Sequence, residues 1–227
     1  MKTLTKNSLY HRVHFRSCLF ILVLGSLVYG NHLQNPFQFD TVAYITNHHR
    51  LDNINEQLNI NYLWKEFIHR GLLQISLAFN VHLDGFRTFG YHLLNLSLHL
   101  INSVLVYFIT CRIWCYLGTI DCQTKENETR FVALFTAVLF LIHPIQTESV
   151  IYIMSRSEVF AGTFYLSSFL LFQIYLVRDR PIKTSFKVLI LFIISIAFIL
   201  GFSVKQTVIT LPLMLLLYFL LGQESES

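Results

Sequence analysis

The sequence predicts an all-α, polytopic membrane protein with about six spans and with interfacial helices in its first external loop. Three observations predict it. Hydrophobic residues make up 54% of the chain and charged residues only 13%, and the mean hydropathy is +0.52. The apolar residues are gathered into runs of bilayer-like length, more than a soluble core can absorb. The Lys and Arg residues are grouped in short connecting segments, which sets an orientation. A net charge of +4 gathered in this way is not the basic stripe of a nucleic-acid binder.

Residues 1–16 are polar and basic, with Lys2, Lys6, Arg12 and Arg16, and read as a cytoplasmic tail. The apolar run 17–30 reads as the first span, a signal anchor beside which Arg16 snorkels. The alternative is a cleavable signal peptide ending at Val28-Tyr29-Gly30. Residues 31–87 form an external loop. Within it Leu63–Phe79 mixes apolar and charged residues, which suits one or two helices lying in the interface. The remaining spans occupy 91–221. Tyr91–Leu117 carries His92, Asn95, His99 and Asn102 along one face, a polar stripe read as interhelical hydrogen bonding. The two histidines lie two turns apart, about 10 Å, too far to share a metal. Cys18, Cys111 and Cys115 read as small apolar packers and Cys122 as a loop thiol; no metal site is expected. Phe131–Ile142 and a helix running from near residue 150 to Val177 follow. Val188–Leu221 is about 51 Å of helix if continuous, too long for one crossing. A hairpin turning near Lys205-Gln206 is expected, with Pro212 inside the last helix.

Orientation follows from the cations. The tail carries the four named above, and the 178–187 loop carries Arg178, Arg180, Lys183 and Lys187. Placing both in the cytoplasm puts 31–87, the turn after Ile142 and the turn at Lys205 together on the opposite, external side. The sequon Asn127-Glu128-Thr129 then falls on the cytoplasmic side, and Asn95-Leu96-Ser97 inside a span.

The stretch His143–Glu158, HPIQTESVIYIMSRSE, carries the most information. The apolar run before it, Phe131–Ile142, is about 18 Å of helix against a hydrocarbon core of roughly 30 Å. His143 and Pro144 are therefore expected below the membrane surface, where a helix breaks open. Ionisable residues at that depth are a functional-site hypothesis, since they are costly unless they line a wet cavity. If the chain is helical from Ser149, Glu148, Tyr152 and Arg156 share one face. That wall presents a carboxylate, a phenol and a guanidinium whose fork suits a phosphate. Asp40, at the edge of the first span, is placed to take a proton from a hydroxyl. The competing structural reading has Glu148 and Arg156 neutralising each other and Asp40 capping a helix.

The blocks NPFQFDTVAYITN, HRGL at 69–72, GYHLLNLSLHLINSVLVY at 90–107, HPIQTESVIYIMSR at 143–156 and SVKQTVITLPLMLLLY at 203–218 occur in a family's order. The chain resembles the GT-C-fold membrane glycosyltransferases related to the transmembrane-and-TPR O-mannosyltransferases and their bacterial TPR-bearing relatives. The resemblance covers about Asn35 to Tyr218 and implies a GT-C-like helical bundle of which this chain is the N-terminal membrane part. It implies transfer of a sugar, mannose among the candidates, from a polyprenyl-phosphate donor to a hydroxyl acceptor, protein Ser/Thr among the candidates, on the external face. The lipid-linked sugar is a substrate, so no cofactor is implied, and the implied membrane is the ER or the bacterial inner membrane.

By that resemblance Asp40 stands at the first acidic position of an Asp-Asp pair, the general base, with Thr41 at the second. Arg70 matches the Arg of an Arg-Pro-Leu motif, with Gly71 in place of Pro. His143, Gln146, Glu148 and Tyr152 shape the site, and Arg156, Lys205 and Arg70 bind the donor phosphate. Lys205 matches a Lys usually followed by Glu, where Gln206 stands here. Two readings stay open. One is an inverting glycosyltransferase module working on membrane lipid-linked sugar. The other is an inactive or truncated relative that serves as a membrane-embedded binding protein or, if the chain is complete, as a partner subunit.

Overall fold

A computed structural model of the chain describes residues 2–46, 71–116, 126–176 and 183–224, and their regular structure is entirely helical. Arg70, Cys122, Arg178 and Arg180 lie outside the described residues. In chain order the helices are α1 (Lys2–Tyr29), α2 (Asp40–Thr46), α3 (Gly71–Asp84), α4 (Thr88–Tyr116), α5 (Glu126–Ile142), α6 (Gln146–Ile151), α7 (Arg156–Tyr175), α8 (Thr184–Val204) and α9 (Leu211–Glu224). Short 3-10 turns at Gly30–His32, Ile153–Ser155 and Gln206–Thr210 join them. The basic tail is part of the first helix rather than preceding it; of the segment Leu63–Phe79, residues 63–70 lie outside the described residues and the rest, from Gly71, is helical.

Among the described residues four helical stretches are long and apolar enough to cross a membrane: Val13–His32, Thr88–Trp114, Thr184–Val204 and Gln206–Gln223. The protein is an all-α polytopic membrane protein. Helices α5 and α7, also expected as spans, pack against α4 in the middle of the bundle. One is only 17 residues long, and the other opens on the polar triplet Arg156-Ser157-Glu158. Val188, Leu189, Phe192 and Ile199 of α8 face outward, as side chains that meet lipid tails do.

Side-chain contacts give the helix directions. Ile21 packs with Tyr107, Ala133 and Ala137, while Tyr29 reaches Leu141, so α1 runs parallel to α5 and antiparallel to α4. Cys18 and Cys111 pack against that same cluster, as apolar fillers. Helices α4 and α7 run side by side in one direction: Asn102 bonds the Val159 carbonyl, Ile109 packs on Phe169, and Arg112 bonds the Gln173 carbonyl. The hydroxyls of Ser97, Ser103, Thr110, Thr136 and Thr163 each bond the carbonyl four residues back. Apolar helices thereby carry hydroxyls without leaving them unpaired.

The break after α5 has a local cause. Pro144 has no N–H to offer the helix, and the Ile145 N–H turns to His143 Nδ1 at 3.2 Å. The Leu141 carbonyl, an orphan of the helix end, instead accepts the Tyr29 hydroxyl at 3.0 Å and bonds His99 Nε2 at 3.0 Å. The hairpin between α8 and α9 turns where the sequence expects it. Lys205 leaves the helix at φ −151° and ψ 130°. Pro212 falls in the first turn of α9 rather than in its interior, where its missing N–H costs nothing.

Close approach of α8 to α7 requires Gly201. A Cβ there would stand 3.0 Å from Phe164 Cβ and 3.2 Å from Val208 Cγ1. Gly201→Leu is expected to cost about 1–3 kcal/mol by overpacking. Thermal unfolding in detergent checks this, and an unchanged midpoint would mean that the two helices separate freely.

Candidate functional site

Three separated segments meet at one end of the bundle: residues 35–46 after the first span, the interrupted stretch 143–158, and the turn at Lys205. Helix α2 packs through Ile45 into a cluster with Leu73, Leu77, Tyr91 and Ile153. Just before it, Phe39 sets its ring edge-on to Tyr152 at 5.8 Å between centroids. Asp40, the first residue of α2, is exposed at this end, whereas Thr41 is fully buried and its hydroxyl has no hydrogen-bond partner. The turn at Lys205 joins the same end through an ion pair between its ammonium and Glu158. Lys205 keeps 28% of its side chain exposed and Glu158 45%, so solvent screens the pair.

The expected helical face of Glu148, Tyr152 and Arg156 does not form. Helix α6 stops at Ile151, and Tyr152 is extended at φ −80° and ψ 114° before a 3-10 turn leads into α7. The interruption sends the three side chains to different places. Glu148 is exposed, Tyr152 is half-buried, and Arg156 is fully buried. His143 is exposed and organises the turn, its carbonyl accepting the Gln146 N–H at 2.9 Å. Gln146 opens α6, half-buried.

Each nitrogen of the Arg156 guanidinium donates a hydrogen bond within the protein. Nε donates to Asn95 Oδ1 at 2.8 Å, Nη1 to Ser76 Oγ at 3.2 Å, and Nη2 to the Tyr91 carbonyl at 3.1 Å. Its carbon centre lies 5.9 Å from the centroid of the Tyr91 ring. The guanidinium thus ties α7 to α3 and α4 and faces neutral partners rather than an open phosphate site. Nor does it neutralise Glu148. The other end of the Asn95 amide donates to the Tyr152 carbonyl at 3.4 Å, which anchors the interruption itself.

The polar stripe of α4 does what its period predicts. His92 bonds the Asn35 carbonyl at 3.1 Å, Asn95 holds Arg156, His99 caps α5, and Asn102 bonds Val159 at 3.0 Å. The residues that sequence reasoning missed are Glu158, the partner of Lys205, and Ser76, the third anchor of Arg156. Glu158 closes the polar stretch and had a signal, a carboxylate placed at the same membrane face as Lys205. Ser76 had none. Among the described residues no three His, Cys, Asp or Glu side chains are grouped to hold a metal.

No family model matches the chain, and no solved structure matches it. Curated proteins do. Protein O-mannosyl-transferase TMTC1 of Mus musculus is 29% identical over 159 residues, 65% of this chain and 16% of the relative. Protein O-mannosyl-transferase TMTC3 of Mus musculus is 27% identical over 195 residues, 82% of this chain and 20% of the relative. Protein O-mannosyl-transferase F38B6.6 of Caenorhabditis elegans is 24% identical over 226 residues, 93% of this chain and 29% of the relative. The chain is a relative of the protein O-mannosyl-transferases. It spans between 16% and 29% of the length of these three O-mannosyl-transferases. Their resemblance reaches across 93% of this chain in the worm protein, so it takes in the end of the bundle where Asp40, the 143–158 stretch and Lys205 meet.

Proposed function

We propose that this chain forms the donor-binding and base-bearing part of an integral-membrane glycosyltransferase. The reaction moves a sugar, mannose on the names of its relatives, from a polyprenyl phosphate to a hydroxyl, that of a protein Ser or Thr being the leading candidate. The observation that carries this reading is the meeting of Asp40, the 143–158 interruption and Lys205 at one end of the bundle. Asp40 accepts the acceptor's proton. The freed oxygen bonds to C1 of the sugar as the C1–O bond to phosphate breaks, with inversion. The departing phosphate takes the negative charge, and Lys205 meets it by exchanging its Glu158 partner for a phosphate oxygen. Arg70 is a second candidate cation for that phosphate. The buried Arg156 fixes the backbone around the site. His143 and Gln146 hold the turn beside it, and Glu148 and Tyr152 border it. Stabilising charge as it develops on the leaving group is the largest contribution such a site makes.

The test uses membranes from cells making this chain, supplied with labelled polyprenyl-phosphate mannose. Lys205→Ala is expected to raise the donor concentration for half-maximal transfer about tenfold or more, the worth of one charge-assisted hydrogen bond. A donor dependence unchanged by Lys205→Ala would remove Lys205 from the phosphate site. One observation favours a second reading, a non-catalytic relative that binds lipid-linked sugar or a partner subunit. Where the resemblance places a second carboxylate, this chain has a fully buried threonine. Donor binding without transfer by the wild-type chain would select that reading.

A further inference from the structure

Resting on the donor reading above, the geometry points to Phe39 as the residue that receives the sugar ring of the donor, by stacking against its C–H face. Phe39 is the one non-glycine residue with positive φ among those described, at φ 52°. Bulky side chains rarely adopt that backbone conformation, and such outliers gather at functional sites. Burial does not account for it, because Phe39 is 81% exposed. Two residues earlier Phe37 does the opposite, packing into the Tyr91 cluster with its ring 5.3 Å from Tyr91 and nearly perpendicular to it. The chain therefore turns through a left-handed residue that holds one aromatic ring out while its neighbour goes in. The outward ring is steadied edge-on by Tyr152 at an interplanar angle of 87°, and the next residue is Asp40. At 81% exposure the ring keeps an electron-rich face open to the weakly positive C–H groups of a pyranose.

The test compares binding of two probes to the whole chain in detergent: a short-chain polyprenyl phosphate, and the same lipid carrying mannose. For the wild type the mannosylated probe is expected to bind more tightly. Phe39→Leu is expected to lose that preference by about five- to tenfold, the range of an aromatic contact, while binding of the bare lipid phosphate stays the same. Phe39→Trp, which keeps a stacking face, is expected to retain it. Equal weakening of both probes by Phe39→Leu would make Phe39 a lipid contact and overturn the inference. Retention of the preference by Phe39→Leu would overturn it as well. A wild type that binds both probes equally would refute the sugar contact and leave the phosphate reading standing, whereas one that binds neither would refute both.

Discussion

Asn95→Leu is expected to destabilise the protein more than Arg156→Met, although the arginine is far the larger side chain. The leucine removes the acceptor at 2.8 Å from Nε while leaving a fully buried guanidinium in place. It also removes the bond to the Tyr152 carbonyl. The remaining partners of Arg156 are a hydroxyl, a carbonyl and a ring face, none of which carries a compensating negative charge. Hydrogen bonds to charged groups contribute about 1.5–3 kcal/mol, and breaking a buried charged network by removing one partner costs about 3–5 kcal/mol. About 3 kcal/mol is the expected loss for Asn95→Leu. Arg156→Met removes the charge together with its bonds, so its main penalty is an unpaired Asn95 oxygen, about 1–3 kcal/mol. Combining the two is expected to cost less than the sum, because the second change removes the group the first one stranded. Thermal unfolding of the four proteins in one detergent checks this. A larger loss for Arg156→Met than for Asn95→Leu would show that the guanidinium contributes mainly by packing.

The second large effect belongs to Asp40. Its side chain is exposed at the end of the bundle where Phe39, Tyr152 and the Lys205–Glu158 pair are found. An exposed carboxylate is free to turn toward an incoming hydroxyl, and a positioned general base contributes about 10²- to 10⁴-fold. Asp40→Asn keeps the shape and the first-turn position in α2 but cannot accept the proton, so transfer is expected to fall by that factor. Folding and membrane insertion are expected to be unaffected, since the side chain lies outside the buried clusters.

Much of this arrangement is legible in the residues themselves. The interruption after Ile142 follows from a run too short to cross and a proline that cannot donate, and the hairpin at Lys205 follows from a run too long to cross once. The stripe on α4 follows from its period, because spacing alone puts His92, Asn95, His99 and Asn102 on one face. Arg156 shows where sequence stops. Whether it faces a donor or the protein depends on one extended residue, Tyr152, which turns α7 relative to α6, and that in turn depends on Asn95 of another helix. Periodicity cannot register a single dihedral angle fixed by a tertiary contact. The same holds for Phe39, whose left-handed backbone has no signature in the segment Asn35–Asp40. Glu158 was visible as a charge, but its pairing with Lys205 depends on the register of α8 against α7, set by the close contact at Gly201.

The most direct test of the account is a paired measurement on wild type and Asp40→Asn in the same membranes, following both binding of labelled polyprenyl-phosphate mannose and movement of the mannose to acceptor. Equal binding is expected, with a loss of transfer of about 10²-fold or more in the variant. Transfer by Asp40→Asn at the wild-type rate would contradict it, since the only carboxylate the proposal gives to the acceptor proton would then have no part in the reaction.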